Sequence, residues 1–472
     1  MNKKYRDLSI NALVFFIGNV GSKVVTFLLV PLYTAVLTTN EFGSVDLMTT
    51  TVQLLIPILS LNIQDAVLRF ALDSSCQREN VFRISSRVML VSSCVLSIGL
   101  IALKKLGIFP FTFNYMLFLF VVFVVGMVNK IFTMYLKAKN KMKTIAVCGV
   151  MNTIVTCVIN VLLLLGLKMG VNGYMIAYVS GTLAANIGMY VFGDLRNDLK
   201  TGRWETGLAR LMIIYSLPMI ANTLAWWINS ASDRYILTWF CGTAINGIYS
   251  LSYKIPSILS ILQGTFYSAW SVSAITEFDK DDTDGFIGQV FSLYAVASLV
   301  LCSGIMLFNI FIARFLYSNE FFTAWKYVPV LLMGTLFNGY ALFVGCMFTA
   351  AKKTKIISWT TMVGAAVNTA FNFALIPIIG AMGAAISTLL GYVVVFAIRL
   401  YCLREIVKMK VNWIQINASL LMLGIQCIVA TLFENTLLQI PFVFMIVAVN
   451  RNTFVKMLKA FVPKVVGKRN SR

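Results

Sequence analysis

The feature that most constrains this chain is a succession of apolar runs, each long enough to cross a bilayer and each followed by a short polar stretch. In lipid, only helices and closed barrels satisfy their own backbone, and runs of roughly twenty residues select the helix. The runs predict spans at 8–37, 44–72, 81–103, 113–136, 144–167 and 171–193. Eight more follow at 208–238, 247–275, 286–314, 325–350, 356–379, 381–403, 413–433 and 437–454. The fold class is therefore all-α, a polytopic membrane protein with about fourteen transmembrane helices and no soluble domain. Composition agrees, because 59% hydrophobic and 12% charged residues leave too little polar surface for a soluble protein. The first run is amphipathic, as suits a helix beside a polar cavity. It is too long for a signal peptide and has no small-residue cleavage site.

A net charge of +21 raises nucleic acid as a partner. The basic residues, however, sit in short clusters between apolar runs, so no nucleic-acid partner is expected. One set of loops holds Arg78, Arg83 and Arg87, then Lys137, Lys139, Lys141 and Lys143, then Arg196, Lys200, Arg203 and Arg210. The same set continues with Lys352, Lys353 and Lys355, and with Arg404, Lys408 and Lys410. The alternate loops hold only Lys104, Lys105, Lys168, Arg314 and Lys326. By the positive-inside rule both termini are cytoplasmic. The acidic group Asp279, Asp281, Asp282 and Asp284 reads as a solvated turn. The chain has no histidine, so imidazole ligation and the commonest proton shuttle are absent. Most of the cysteines lie inside apolar runs as small hydrophobes, and no CxxC pair occurs. No cofactor, zinc site or disulfide framework is expected.

Three pairs of segments repeat in order. Phe42-Gly43-Ser44-Val45-Asp46-Leu47 matches Asn246-Gly247-Ile248-Tyr249-Ser250-Leu251, and Lys137-Ala138-Lys139-Asn140-Lys141 matches Ala351-Lys352-Lys353-Thr354-Lys355. Gly170-Val171-Asn172-Gly173 matches Gly380-Ala381-Met382-Gly383. The offset of roughly 204 to 213 residues predicts two copies of six helices. Because six is even, the copies share one orientation about an axis along the membrane normal. The expected organisation is an N-lobe at 1–200, a C-lobe at 201–410, and two further helices with a basic tail at 411–472. The lobes are expected to flank a central cavity.

Charges at bilayer depth are costly and usually face a bundle interior or water. Here they are Lys23, Asp46, Asp65, Arg69 and Lys130 in the first lobe, and Asp233, Arg234 and Lys254 in the second. Arg offers a bidentate fork and Lys a point charge, so this set suits a phosphate or diphosphate. Snorkelling to the interface is an equal reading for Arg69 and Lys130, and simple capping or water contact for Asp46. Asp233 and Arg234 are adjacent and cannot share one helix face. Pro31, Pro57, Pro218, Pro256, Pro329 and Pro377 fall in or near spans and can kink them. Trp226, Trp227, Trp270 and Trp359 suit sugar stacking, packing or interfacial anchoring.

The chain resembles the polysaccharide flippases of the multidrug/oligosaccharidyl-lipid/polysaccharide exporter superfamily over nearly its whole length. The resemblance is carried by Glu41-Phe42-Gly43, Ser232-Asp233-Arg234-Tyr235, the run Tyr249-Ser250-Leu251-Ser252-Tyr253-Lys254-Ile255-Pro256, and Gly380-Ala381-Met382-Gly383-Ala384-Ala385-Ile386. It implies movement of an undecaprenyl-diphosphate-linked oligosaccharide across a bacterial cytoplasmic membrane by alternating access. Lys23, Arg69, Lys130, Arg234 and Lys254 would then grip the diphosphate, and the polyprenyl tail would stay among membrane lipids. A polysaccharide polymerase and chain-length proteins are implied as partners. The related lipid II flippases imply an ion site, whose positions look like Asp233, Asn368, Asn372 and Thr388, with Asp46 and Asp65 as further coupling candidates. Asn372 stands where that pattern has an acid, which weakens the charge of such a site; helix packing is the alternative role for Asn368 and Asn372. A multidrug exporter of the same superfamily would favour acidic cavity residues over basic ones. A membrane glycosyltransferase would need an acidic metal-binding cluster, and a polymerase a long outer loop; neither is present.

Overall fold

The computed structural model describes residues 25–453 other than 26, 74, 108–111, 277, 284 and 452. Lys23 and most of the predicted first span lie outside the described residues. The described chain is helical with no strand, and eleven of its helices are long and apolar enough to cross a membrane. It divides into two compact units, parted at Trp227 and Ile228 within one long helix.

The first unit begins with α1 (Val30–Val36) and α2 (Thr39–Leu59). Glu41, in the Glu-Phe-Gly motif, is a capping-box residue. Its amide donates to Thr38 Oγ1 at 3.2 Å, and its carboxylate accepts from the Thr38 amide at 2.9 Å. Such a cap stabilises a helix start by about 1 kcal/mol. The predicted span 44–72 is not one helix. It breaks at Leu61 and Asn62, whose φ angles are 54° and 52°, before α3 (Ile63–Ala71). Left-handed backbone is costly for a leucine. The break is held by the Asn62 amide donating to Pro57 O at 2.8 Å and by Asn62 Nδ2 donating to Asp65 Oδ2 at 2.6 Å. An apolar run carries no sign of such a turn. The unit continues with α4 (Arg78–Lys105), α5 (Phe113–Ala138), α6 (Met142–Asn160, extended by a π turn to Gly166), α7 (Gly170–Phe192) and α8 (Leu195–Thr201). Its core includes Phe82 stacked on Tyr135 with centroids 4.5 Å apart, beside the buried Phe123 and Met127.

Helix α9 (Thr206–Cys241) runs into the second unit. There follow α10 (Thr243–Ser252), α11 (Lys254–Thr276), α12 (Phe286–Leu307), α13 (Asn309–Leu316), α14 (Val328–Ala350), α15 (Thr354–Ile379), α16 (Ala381–Leu403), α17 (Trp413–Leu432) and α18 (Ile440–Val449). The predicted spans 247–275 and 286–314 are each broken, at Tyr253 and at Phe308. Pro256 falls in the first turn of α11, where a missing N–H costs nothing. Asn309 Nδ2 donates to Trp325 O at 3.0 Å, which fixes the second break. Helix α14 is buried on every side, with Val328, Leu332, Leu336, Tyr340, Val344 and Met347 all fully covered. Trp270 stacks on Phe343 at 4.4 Å and donates to its carbonyl, and Trp227 donates to Thr50 O in the first unit. For these two tryptophans packing is the reading that holds.

Two of the three matched segment pairs contain turns of like geometry. After α5 and after α14 the chain turns through Asn140 and Lys352, with φ of 57° and 58°. The Lys141 amide closes on Leu136 O at 2.9 Å, and the Lys353 amide on Phe348 O at 2.8 Å, the same Schellman closure. Gly170 and Gly380, with φ of 55° and 58°, open α7 and α16 alike.

The acidic turn departs from its predicted solvation. Asp281 is exposed and Asp279 half-buried, but Asp282 is fully buried. Its carboxylate accepts from the amides of Ile287 at 2.9 Å, Gly288 at 3.0 Å and Lys410 at 3.3 Å. It therefore caps α12 and ties the segment after α16 to it, a role that charge density in the sequence does not reveal.

Candidate functional site

Four of the predicted coupling residues come together in the second unit. Asp233, on α9, is 3% exposed. Its Oδ2 accepts from the hydroxyls of Tyr249 at 2.8 Å and Tyr253 at 3.1 Å, and its Oδ1 accepts from the Arg234 amide at 2.9 Å. The two phenol oxygens are 3.0 Å apart. The break at Tyr253 between α10 and α11 brings both tyrosines, four residues apart, onto one carboxylate. The Arg234 guanidinium lies over the Tyr253 ring, 5.9 Å from its centre. Adjacent residues that cannot share a helix face thus meet through a common tyrosine.

Thr388, on α16, lies beside the Tyr249 and Tyr253 hydroxyls. It accepts from Asn368 Nδ2 at 3.3 Å, and Asn368 Oδ1 accepts from Asn372 Nδ2 at 3.0 Å. All three are buried, and Asn372 Oδ1 has no hydrogen-bond partner among the described residues. The Asp233 carboxylate and the Asn372 amide oxygen stand at opposite ends of a polar chain crossing α9, α10, α15 and α16. Hard cations take oxygen ligands. A divalent metal would want more than this one carboxylate. Among the described residues no group of three or more Cys, Asp or Glu is placed to hold a metal.

In the first unit Lys130 lies within electrostatic reach of Asp65, on α5 and α3. Asp65 is also held by Asn62 at the break between α2 and α3. Asp46 is half-buried on α2, within electrostatic reach of Tyr174. Arg69 is exposed in the last turn of α3, where a cation complements the helix dipole. Lys254 is half-buried in the first turn of α11.

Sequence reasoning passed over Arg399, which is 3% exposed. Its Nε donates to Thr360 Oγ1 at 3.0 Å, and its terminal nitrogens donate to Ala341 O at 2.8 Å, Thr361 Oγ1 at 3.0 Å and Ile357 O at 3.3 Å. Its place inside the predicted span 381–403 was the signal for it. The tyrosine partners of Asp233 were likewise missed, although both stand in the Tyr249 to Pro256 run.

An all-helical chain with these spans and this repeat has the fold of the multidrug/oligosaccharidyl-lipid/polysaccharide transporters, in a multi-pass membrane protein. Over 94% of this chain and 99% of that one it matches the inward closed conformation of lipid II flippase MurJ, with a TM-score of 0.71 at 13% identity. It also matches an inward-facing multidrug resistance MATE family transporter, over 81% of this chain and 94% of that one, at a TM-score of 0.61 and 12% identity. Residues 8–277, more than half the chain, match the polysaccharide biosynthesis protein family, and the chain belongs to that family. A probable low-salt glycan biosynthesis flippase, Agl15 of Haloferax volcanii, is 23% identical over 226 residues. That match covers 46% of this chain and 48% of the relative, so the chain spans about half the length of the curated relative.

Proposed function

We propose that this protein is a flippase that moves an undecaprenyl-diphosphate-linked oligosaccharide repeat unit across the cytoplasmic membrane by alternating access, for surface polysaccharide synthesis. The observation that carries the reading is the presence of basic side chains at membrane depth in both halves of the chain, on a fold shared with a lipid flippase. Lys23, Arg69, Lys130, Arg234 and Lys254 are the proposed grip on the diphosphate. Asp233, Asn368, Asn372 and Thr388 are the proposed coupling site, with Asp46 and Asp65 as its counterparts in the first half. Both termini lie on the cytoplasmic side, and a polymerase and chain-length proteins receive the product.

The test is complementation of a strain lacking this gene. Lys254→Ala and Lys130→Ala should insert normally yet cut surface polysaccharide by at least about tenfold, with lipid-linked repeat units accumulating inside. Normal export by both variants removes the basic residues from substrate binding. Restored extrusion of cationic drugs, with polysaccharide unaffected by the deletion, would make the protein an exporter instead.

A further inference from the structure

We infer that the second unit carries a separate binding site for an anionic phospholipid at the end of α16. A cavity of about 240 Å³ opens where α16 gives way to the segment leading into α17. Its lining joins the apolar Leu400, Leu403, Val407, Met409 and Trp413 to the cations Arg404 and Lys408. The chemistry changes across the cavity from hydrocarbon to cation, as it does across a lipid from acyl chain to phosphodiester. Basic pockets between helix ends, flanked by tryptophan, sit at the depth of the headgroups.

The wall is preorganised. The Lys408 amide donates to Lys280 O at 3.0 Å, and the Lys410 amide donates to the buried Asp282 at 3.3 Å. Gly288 abuts the Lys410 backbone so closely that a Cβ there would meet its carbonyl oxygen at 2.5 Å. The segment is therefore clamped onto α12 before any ligand arrives. Arg404 is exposed and has no carboxylate partner among the described residues. Lys408 pairs with Asp281 at 3.1 Å, but both side chains are more than half exposed. Such a pair is worth little and yields readily to a phosphate.

Size separates this site from the proposed transport substrate. Sites for drug-sized ligands run from roughly 300 to 1,000 Å³. At about 240 Å³ the cavity falls below that range and matches a headgroup phosphate with the first methylenes of one chain. The occupant we assign is a phospholipid with a singly charged phosphodiester.

Native mass spectrometry of the full chain released from nanodiscs tests this independently of the flippase reading, because retention requires no translocation. From phosphatidylglycerol discs the protein should keep one lipid that it does not keep from phosphatidylcholine discs. Replacing both cations, Arg404→Gln with Lys408→Gln, should weaken retention about thirtyfold, the product of two surface charges. Met409→Trp, which fills the cavity and keeps both charges, should also lose the lipid. Asp281→Asn, which frees Lys408, should keep it. Equal retention of the two lipids overturns the proposal, and so does unchanged binding in the doubly substituted protein. Displacement of phosphatidylglycerol by an equimolar polyprenyl diphosphate would return the site to the transport substrate and overturn it as well.

Discussion

At the scale of single residues, the second unit buries two charges in opposite ways. Asp233 is held by donors that leave it one hydrogen-bond network away from an orphan oxygen, Asn372 Oδ1. Arg399 is saturated by threonine hydroxyls and backbone carbonyls from α14 and α15, and so reads as a strut. The two should therefore separate experimentally. Asp233→Asn keeps the shape and removes the charge, so transport should fall by at least about tenfold while thermal unfolding in detergent moves little. Arg399→Lys cannot span the same four acceptors with a point charge. It should lower stability by about 2 kcal/mol, the cost of buried acceptors left without donors, read as a lower melting temperature. Equal losses of stability in both variants would make Asp233 a strut too. A charge within an apolar run is visible in the sequence, yet Arg399, inside the predicted span 381–403, was passed over. Which of such charges is saturated is not visible there, because that depends on partners such as Tyr249, Tyr253 and Thr360 brought in by other helices.

At the scale of elements, the spans were legible wherever hydrophobicity alone decides a helix, as in α4, α14 and α16. They were misread wherever backbone geometry interrupts an apolar run, at Leu61 and Asn62, at Tyr253 and at Phe308. Lipid penalises charge far more visibly than it penalises a turn whose amides are satisfied inside the protein. The acidic turn before α12 is the sharpest case. Asp282 accepts three backbone amides, so Asp282→Ala should cost about 1–3 kcal/mol, with melting temperature as the readout. Asp279 adds a pH dependence. Hydrogen bonds from the Thr283 hydroxyl and amide, and from the Asp281 amide, hold its carboxyl below the ordinary range. A carboxyl depressed by folding stabilises the protein above its unfolded value and loses that contribution as pH falls through the folded one. Melting temperature should therefore drop on acidification below the ordinary aspartate range, and Asp279→Asn should flatten that drop. An unchanged acid profile in Asp279→Asn would remove this turn from the pH response.

At the scale of the whole molecule, the parallel repeat expected from the sequence is a proposal that topology can test. The Schellman turns at Asn140 and Lys352 use the same closure, and each is followed by a helix and a left-handed glycine, Gly170 and Gly380, before the next. On that proposal an even number of spans separates corresponding turns, so they should be reached from the same side of the membrane. The loops at Asn140, Lys352 and Arg404 are among the basic ones, and we propose that their side is the cytoplasmic one. The loops bearing Lys104, Lys168 and Lys326 must then face outward. Single cysteines introduced at these six positions in a cysteine-free background test the whole arrangement at once. A membrane-impermeant maleimide applied to intact cells should label positions 104, 168 and 326, and should reach 140, 352 and 404 only after the membrane is opened. Labelling of 140 and 352 from opposite sides would break the parallel repeat. Labelling of all three basic loops from outside would preserve the repeat and invert the protein, placing the phospholipid site at Arg404 in the outer leaflet.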